Sequence, residues 1–349
     1  MKVSQVSTSM MSGSLRTTVA ELQQRFYIAQ KEVATGRAAD MGLHLGNRSS
    51  EVLSLRAQFS QLQSIKQANN GVAVRMDTTQ VALTSIIEDA EELSAQLLSM
   101  RDRTIGSEVI QSQGETRLKA LMEILNTGLD GAHIFGGIDT QTQPIVDYYG
   151  AGTPSNKAAL DAAFLAEFGF TQDDPQVDNI DPADLKAFLD GAFADRFEDP
   201  AWSAEWSNAS STVINDMISL TERIPTSVSA NDESVRKLVR AYTMLGELGI
   251  NGMNDQAYGV ILEESTRLIG EAVQGLATVQ AHLGNSQERI KFATEKVDRQ
   301  ITVLNKRIAA MEAIDPYEAQ TRVMQLETQL DTSYELTARI QRLSLLNHL

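Results

Sequence analysis

A run of positions near the C-terminal end repeats with the spacing of a coiled coil. Thirteen positions alternate steps of four and three residues, and all but three of them are apolar: Ile269, Val273, Leu276, Gln280, Leu283, Gln287, Ile290, Thr294, Val297, Ile301, Leu304, Ile308 and Met311. A hydrophobic period of 3.5 residues keeps one stripe of a helix against a partner helix. The pattern therefore predicts a long coiled-coil helix. Its polar members, Gln280, Gln287 and Thr294, are expected to fix register and partner number rather than to bind a ligand.

The N-terminal third carries two stretches with the same period. One runs from Leu15 to Val33 and is followed by Gly36, a residue type at which helices commonly end, and the other runs from Met76 to Met100. Because both ends share one period, we predict that they pack against each other as a long antiparallel coiled-coil rod. The predicted seam residues are Leu83, Ile86, Leu93, Leu97, Leu283, Ile290, Val297, Ile301, Leu304 and Ile308.

The middle of the chain has a different composition. Eleven of the 19 aromatic residues lie between Tyr148 and Tyr242, including Trp202 and Trp206, and large aromatic side chains fill globular cores rather than coiled-coil seams. Residues 147–205 hold 13 acidic and 3 basic residues, a net charge of −10 out of −16 for the whole chain. Such a negative surface repels phosphate backbones, so nucleic acid is not expected as a partner.

These differences predict a mainly α protein in which both ends of the chain form the rod. The middle of the chain is expected to form an inserted, acidic α+β head.

Local signals give a coarse series of elements. Residues 1–14 are small and polar and are expected to be disordered or weakly helical, whereas glycines predict a loop at 36–46 and a β-hairpin from Gly128. Asp181 followed by proline predicts a helix start, and Asn231 is a candidate N-cap. Predicted helices cover 15–34, 49–102 with a phase change at 69–71, 112–126, 156–167, 182–196, 231–248, 255–313 and 316–347, and candidate strands cover 211–223 and 226–230.

The sequence gives little indication of a catalytic, cofactor or metal site. The four histidines, His44, His133, His282 and His348, lack the spacing of a metal site, and the paired carboxylates of the acidic segment are expected by chance. We therefore predict no catalytic, cofactor or metal site. The chain has no cysteine, no stretch typical of a cleaved signal peptide and none long enough to span a bilayer. A membrane is not expected as a partner.

Apolar residues on the two terminal helices need cover from water. They are Leu15, Val19, Leu22, Phe26, Leu336, Ile340, Leu343, Leu346 and Leu349. In one interpretation the last helix docks on the first helix of its own chain. In the other, both helices stay loose in the monomer and bury these residues only between subunits of a polymer, which makes them an assembly interface.

Several segments resemble one protein superfamily. The run Ala34-Thr-Gly-Arg-Ala-Ala-Asp40 and the later Ala68-Asn-Asn-Gly71 resemble the N-terminal region of bacterial flagellins and their hook-associated relatives, and the run from Ala313 to Leu349 resembles their tail. The stretch from His133 to Pro144, together with the ending Ser-Leu-Leu-Asn-His-Leu, is most similar to the hook-associated protein 3 family of hook–filament junction proteins.

The resemblance implies a structural subunit of the bacterial flagellum, outside the cell, with three domains. The implied division is 1–45 with 315–349 as an inner domain of terminal helices, 46–143 with 254–314 as the coiled-coil rod with a small β-hairpin, and 144–253 as the variable head. The resemblance also implies self-assembly into a ring, contacts with hook-associated protein 1 and flagellin, type III export without a cleaved signal, and an export chaperone. A flagellin-type filament subunit is the alternative within the superfamily. A cytoplasmic coiled-coil scaffold is the more distant alternative.

Overall fold

α-Helices dominate the computed structural model, which describes residues 2–99 and 106–346. The predicted mainly helical fold is confirmed. The helices are α1 (Lys2–Thr35), α2 (Met41–Leu45), α3 (Ser49–Ser99), α4 (Ser107–Leu125), α5 (Ser155–Phe168), α6 (Pro182–Asp190), α7 (Glu233–Glu247), α8 (Asp255–Glu312) and α9 (Pro316–Leu346).

The strands are short and form two separate antiparallel hairpins. Strands β1 (Gly128–Leu129) and β2 (Ala132–His133) pair with each other, and β3 (Asn215–Met217) pairs with β4 (Arg223–Pro225). The turn between β1 and β2 has Gly131 at a φ of 80°, a backbone region that favours glycine. The hairpin predicted from the glycines at this point is confirmed.

The chain divides into two compact units. The terminal unit comprises Met1–Ser64 and Asp298–Leu349, and the central unit comprises Ile65–Val297. The central unit thus contains the whole acidic segment as well as parts of α3 and α8. The three-domain division stays a prediction.

The terminal unit has a small core where α3 begins and α8 ends. Leu45, Val52, Leu55, Ile308 and Met311 are buried together. Apart from this cluster the unit consists largely of α1 packed against α9. Two helices side by side can bury only one stripe each, so most side chains of this pair face solvent.

The central unit has a large core organised around α7. Almost every side chain of this helix from Ser234 to Gly246 is buried or half-buried. It crosses α4 so closely that a Cβ atom added to Gly114 would lie 2.6 Å from the Gly246 backbone nitrogen. Glycine at both positions therefore sets the distance between the two helices.

Aromatic rings fill the part of this core that the acidic segment contributes. Trp206 stacks on Trp202 with ring centroids 5.9 Å apart and on Tyr148 at 5.6 Å. Contacts between neighbouring rings continue through Phe197 and Phe193. The sequence-based expectation that these aromatics form a globular core is confirmed.

Several local predictions are wrong in detail, each for a local reason. The segment 36–46 is not a simple loop, because Asp40 Oδ1 accepts the Leu43 amide and starts α2. The helix predicted at 182–196 ends at Asp190, where Gly191 caps it. Asn231 is not the N-cap of α7, because the neighbouring Asp232 accepts the Ser234 amide instead.

Other predicted boundaries also shift. Helix α1 begins at Lys2 and α4 at Ser107, both earlier than expected. Helix α3 is continuous through 69–71, in agreement with the single helix predicted over 49–102, and the predicted end of that helix lies outside the described residues. The candidate strand 211–223 reduces to β3 and the first residue of β4, and the candidate strand 226–230 is wrong, because β4 ends at Pro225. Serine and asparagine side chains bond the backbone outside the two strands.

Candidate assembly surface

Helices α1 and α9 lie side by side and run antiparallel. Gln23 donates to the hydroxyl of Tyr334 over 2.6 Å, and nearer the other end Arg322 lies 3.4 Å from Glu32. The last helix therefore docks on the first helix of its own chain in this structure. This arrangement is the first of the two interpretations that the sequence left open.

The predicted assembly residues are incompletely covered where the structure describes them. Leu15, Val19, Leu22 and Phe26 on α1 and Ile340 on α9 are half-buried, and 48% of Leu336 is exposed. Leu343 and Leu346 belong to α9, but their side chains lie outside the described part, as does the whole of Leu349.

The pair also exposes large apolar side chains that the sequence analysis did not single out. On α9, Tyr317 is 85% exposed and Met324 is 62% exposed, and their seven-residue spacing places them on the same face of the helix. On α1, Tyr27 is 68% exposed and Ile28 lies beside it. These residues lie on a different face of each helix from the four-and-three stripe, so a search for that stripe overlooks them.

The predicted seam residues lie on α3 and α8. Leu83, Ile86, Leu93 and Leu97 on α3 are buried. On α8, Leu283, Ile290, Val297 and Ile308 are buried and Ile301 and Leu304 are half-buried.

Polar pairs connect the two seam helices inside the central unit. Gln280 donates to the Thr84 hydroxyl over 2.8 Å, and Gln287 donates to Asp77 over 2.7 Å. As the residue number rises on α8 it falls on α3, so the helices run antiparallel. These polar seam positions bond to the opposite helix, in the way expected of residues that fix register.

Asn69 is a seam residue that sequence reasoning missed. Its side chain is 1% exposed and donates to the Thr294 hydroxyl over 3.1 Å and to the Ile218 carbonyl over 3.0 Å. It therefore holds the β3–β4 hairpin against α3 and α8. Extending the spacing of four and three backwards from Met76 through Val72 reaches this position, so the signal was present in the sequence.

Ion pairs also attach the β3–β4 hairpin to these helices. Arg75 on α3 lies 2.5 Å from Asp216, and Arg289 on α8 lies 2.7 Å from Glu222. Arg75 also donates to the hydroxyl of Thr226.

The described residues hold little that resembles a reactive site. No group of three or more His, Asp or Glu side chains among them could hold a metal ion. His133 Nδ1 lies 2.9 Å from the carbonyl of Asn126 in the turn next to β2. None of the described helices combines the length and the apolar composition that a bilayer span requires.

One shallow cavity of about 200 Å³ lies beside the start of α7 and has serine in its lining. Ser229 Oγ donates to the carbonyl of Ser210, and Ser227 Oγ accepts the amide of Ile214. Asn231 accepts the Trp202 ring N–H over 2.8 Å. These polar groups stabilise the local fold and are already bonded, which does not favour a ligand site.

Two family models match the ends that form this surface. The bacterial flagellin N-terminal helical region matches residues 6–140, and the bacterial flagellin C-terminal helical region matches 266–349. Together they cover 219 of the 349 residues. The chain belongs to the bacterial flagellin family. The superfamily resemblance stated from the residues is thereby confirmed, and the chain is a structural component of the flagellum.

Comparison with solved structures and curated proteins adds two findings for this flagellin-family chain. A crystal structure of Bacillus cereus FlgL is similar, with a TM-score of 0.46 and 13% sequence identity over 74% of this chain and 98% of that chain. No curated protein matches the chain significantly.

Proposed function

We propose that the chain is a structural subunit that joins hook to filament in the bacterial flagellum. The observation that carries this proposal is the α1–α9 pair, in which both flagellin regions meet and large apolar side chains such as Tyr317 remain exposed. Exposed apolar surface of this kind is suited to burial between identical subunits. The motif from His133 to Pro144 favours the junction family over a filament subunit.

The proposal includes the partners that this position requires. Copies of the chain assemble into a ring through the terminal helices, contact hook-associated protein 1 on one side and contact flagellin on the other. Export by the flagellar type III route and an export chaperone for the C-terminal helix complete the proposal. The role is mechanical and requires no catalysis.

The location of the chain on the flagellum distinguishes a junction protein from a filament subunit. An antibody against the chain on detached flagella should label one point near the base, and labelling along the whole filament would favour a flagellin. Purified protein added to hooks that lack it should restore a short zone and then stop growing, whereas long filaments would contradict the junction role.

The assembly surface can be tested with matched variants. Tyr317→Ser and Met324→Gln should abolish binding to hooks while leaving the monomer as stable as before, because both residues are largely exposed. Leu165→Gln is the control, since Leu165 is an exposed apolar residue on α5 of the central unit. If the control variant lost hook binding equally, the terminal helices would not be the interface.

Solution behaviour distinguishes the assembly subunit from a cytoplasmic scaffold. The isolated protein should sediment as a monomer, and limited proteolysis should trim it to a fragment from about residue 45 to about residue 310, because separate helix pairs open more readily than layered cores. A stable dimer with protected ends would favour the scaffold.

A further inference from the structure

The partners of α3 and α8 change along the length of the two helices. On α3, Asp89 pairs with Arg117 of α4 and accepts a hydrogen bond from the hydroxyl of Tyr242 of α7. On α8, Gly275 lies so close to Ser234 of α7 that a Cβ atom at this position would overlap it. At these levels of the central unit, α3 and α8 are therefore covered by other helices.

Nearer Asn69 and Thr294, the β3–β4 hairpin takes the place of those helices. The side chain of Asn69 bonds both the Thr294 hydroxyl and the carbonyl of Ile218, which lies between the two strands. Ile218 is fully buried and Ile224 on β4 is 1% exposed, and both belong to the core of the central unit. The hairpin therefore contributes apolar cover as well as hydrogen bonds to this part of α3 and α8.

The division of the chain into two units falls close to these contacts. The central unit begins at Ile65, four residues before Asn69, and ends at Val297, three residues after Thr294. A helix pair without further cover buries one stripe on each helix and opens more readily than a layered core. The hairpin thus lies where layered packing on α3 and α8 ends.

We propose that the β3–β4 hairpin is a strap that sets how far the rigid part of the rod extends along α3 and α8. The strapped segments are 65–77 of α3 and 287–297 of α8. Release of the strap should let these segments open while the helices layered with α4 and α7 stay folded. The strap acts within one subunit, so it does not depend on the proposed position at the junction.

The polar contacts of the strap differ in how far water reaches them. Arg75 and Asp216 are 24% and 30% exposed, and Asp216 also accepts the hydroxyl of Thr226. Arg289 and Glu222 are 53% and 42% exposed. An ion pair shielded from water is more costly to break than an exposed one. The Arg75–Asp216 pair should therefore hold the strap more firmly than the Arg289–Glu222 pair.

The first measurement is amide hydrogen exchange of full-length Asp216→Asn. This variant keeps the side-chain shape, removes the charge that pairs with Arg75 and leaves the sequences of α3 and α8 unchanged. Exchange in the strapped segments should become on the order of fivefold to tenfold faster. Exchange on α3 from Leu83 to Leu97 should change less than about twofold. Equal acceleration in both regions would mean general unfolding and would overturn the strap.

Glu222→Gln is the matched control on the same hairpin. Because Glu222 and Arg289 are largely exposed, this variant should change exchange in the strapped segments by less than about twofold. The hairpin amides of Ile218 and Thr226 report whether Asp216→Asn has loosened the strap itself. If those amides exchange faster while the strapped segments exchange as in the parent, the hairpin does not stiffen the rod and the proposal is wrong.

The second measurement is the rate of cleavage by trypsin, which cuts after lysine and arginine. Lys66 and Lys296 lie in the strapped segments. Asn69→Ala removes the partner of the Ile218 carbonyl and should make cleavage at both lysines on the order of fivefold faster. Gln287→Ala removes an exposed bond between α3 and α8 without touching the hairpin, so its cleavage should match the parent. Equal acceleration by Gln287→Ala would assign the effect to the seam and overturn the strap.

Discussion

The terminal and central units stabilise helices in different ways, although α3 and α8 contribute residues to both. In the central unit these helices are layered with α4, α7 and an aromatic cluster, so that residues such as Tyr242 are covered on every side. In the terminal unit a five-residue core and the α1–α9 pair provide most of the contacts. The stability of a helix segment therefore depends on the elements packed around it and not on its hydrophobic periodicity alone.

Removing an aromatic ring should cost much more folding stability in the central unit than in the terminal unit, and this is the largest difference that we expect. Phe188 is 1% exposed and touches the rings of Phe164 and Phe193. Phe188→Ala should cost about 3 to 5 kcal/mol, whereas Tyr317→Ala in the terminal unit should change stability by less than about 0.5 kcal/mol. During urea unfolding, tryptophan fluorescence measures the central unit, because both tryptophans lie there, and circular dichroism also follows the helices of the terminal unit. Similar losses in the two variants would contradict the comparison.

Alkaline pH should weaken the central unit strongly as well. Burial, followed by the charge of Glu247 for Tyr148 and of Asp89 for Tyr242, raises the pKa of both phenols well above their usual value. The folded state therefore holds these protons more tightly than the unfolded chain does. Their contribution to stability is complete below about pH 10 and decreases above it by about 1.4 kcal/mol per pH unit for each tyrosine.

Urea unfolding at pH 8, 10 and 11 checks this effect, with Tyr242→Phe as the matched variant. The free energy of unfolding of that variant should fall, per pH unit, by about half the amount expected for two phenols, because only the phenol of Tyr148 remains. A free energy of unfolding that stays constant between pH 9 and pH 11 would contradict the argument.

Adding a methyl group to two glycines should have effects of opposite sign. Gly114→Ala places a Cβ atom against the backbone of Gly246 and should cost about 1 to 3 kcal/mol. Gly259→Ala on α8 meets no atom within 4 Å, so it should stabilise the protein by about 0.5 to 1 kcal/mol through helix propensity. Thermal unfolding measures both, and a gain for Gly114→Ala would show that α4 and α7 can separate.

The smallest expected difference in folding stability is between variants of two polar seam residues. Asn69→Ala leaves the buried carbonyl of Ile218 without its partner and should cost about 1 kcal/mol. Gln287→Ala removes an exposed bond to Asp77 and should cost less than about 0.5 kcal/mol. Equal losses in chemical unfolding would mean that the β3–β4 hairpin contributes nothing to the seam.

Periodicity and local capping predicted much of the helical fold. The long helix α8 was predicted within one residue at its C-terminal end, because its stripe and Pro316 are both local signals. The separate start of α2 was missed, since one Asp40 cap outweighs the three glycines around it. The β3–β4 hairpin was placed poorly because its position depends on distant partners, Asn69 and Arg289.

The candidate site was only partly accessible from the sequence. Apolar residues such as Phe26 and Leu336 follow from helical spacing, so a stripe search finds them. The exposed Tyr317 and Met324 lie off that stripe, and their exposure is known only once α1 and α9 are paired. The buried Glu312 bonds to Arg56, which is 256 positions away in the sequence, and no local pattern connects the two residues.

The antiparallel pairing of α3 and α8 limits how this chain can change in length during evolution. Gln280 meets Thr84 and Gln287 meets Asp77, so each step along one helix is matched by a step back along the other. A single inserted codon in either helix would misalign every later contact at once. Insertions and deletions in these helices should therefore arise in compensating pairs, while the segment between them remains free to lengthen or shorten.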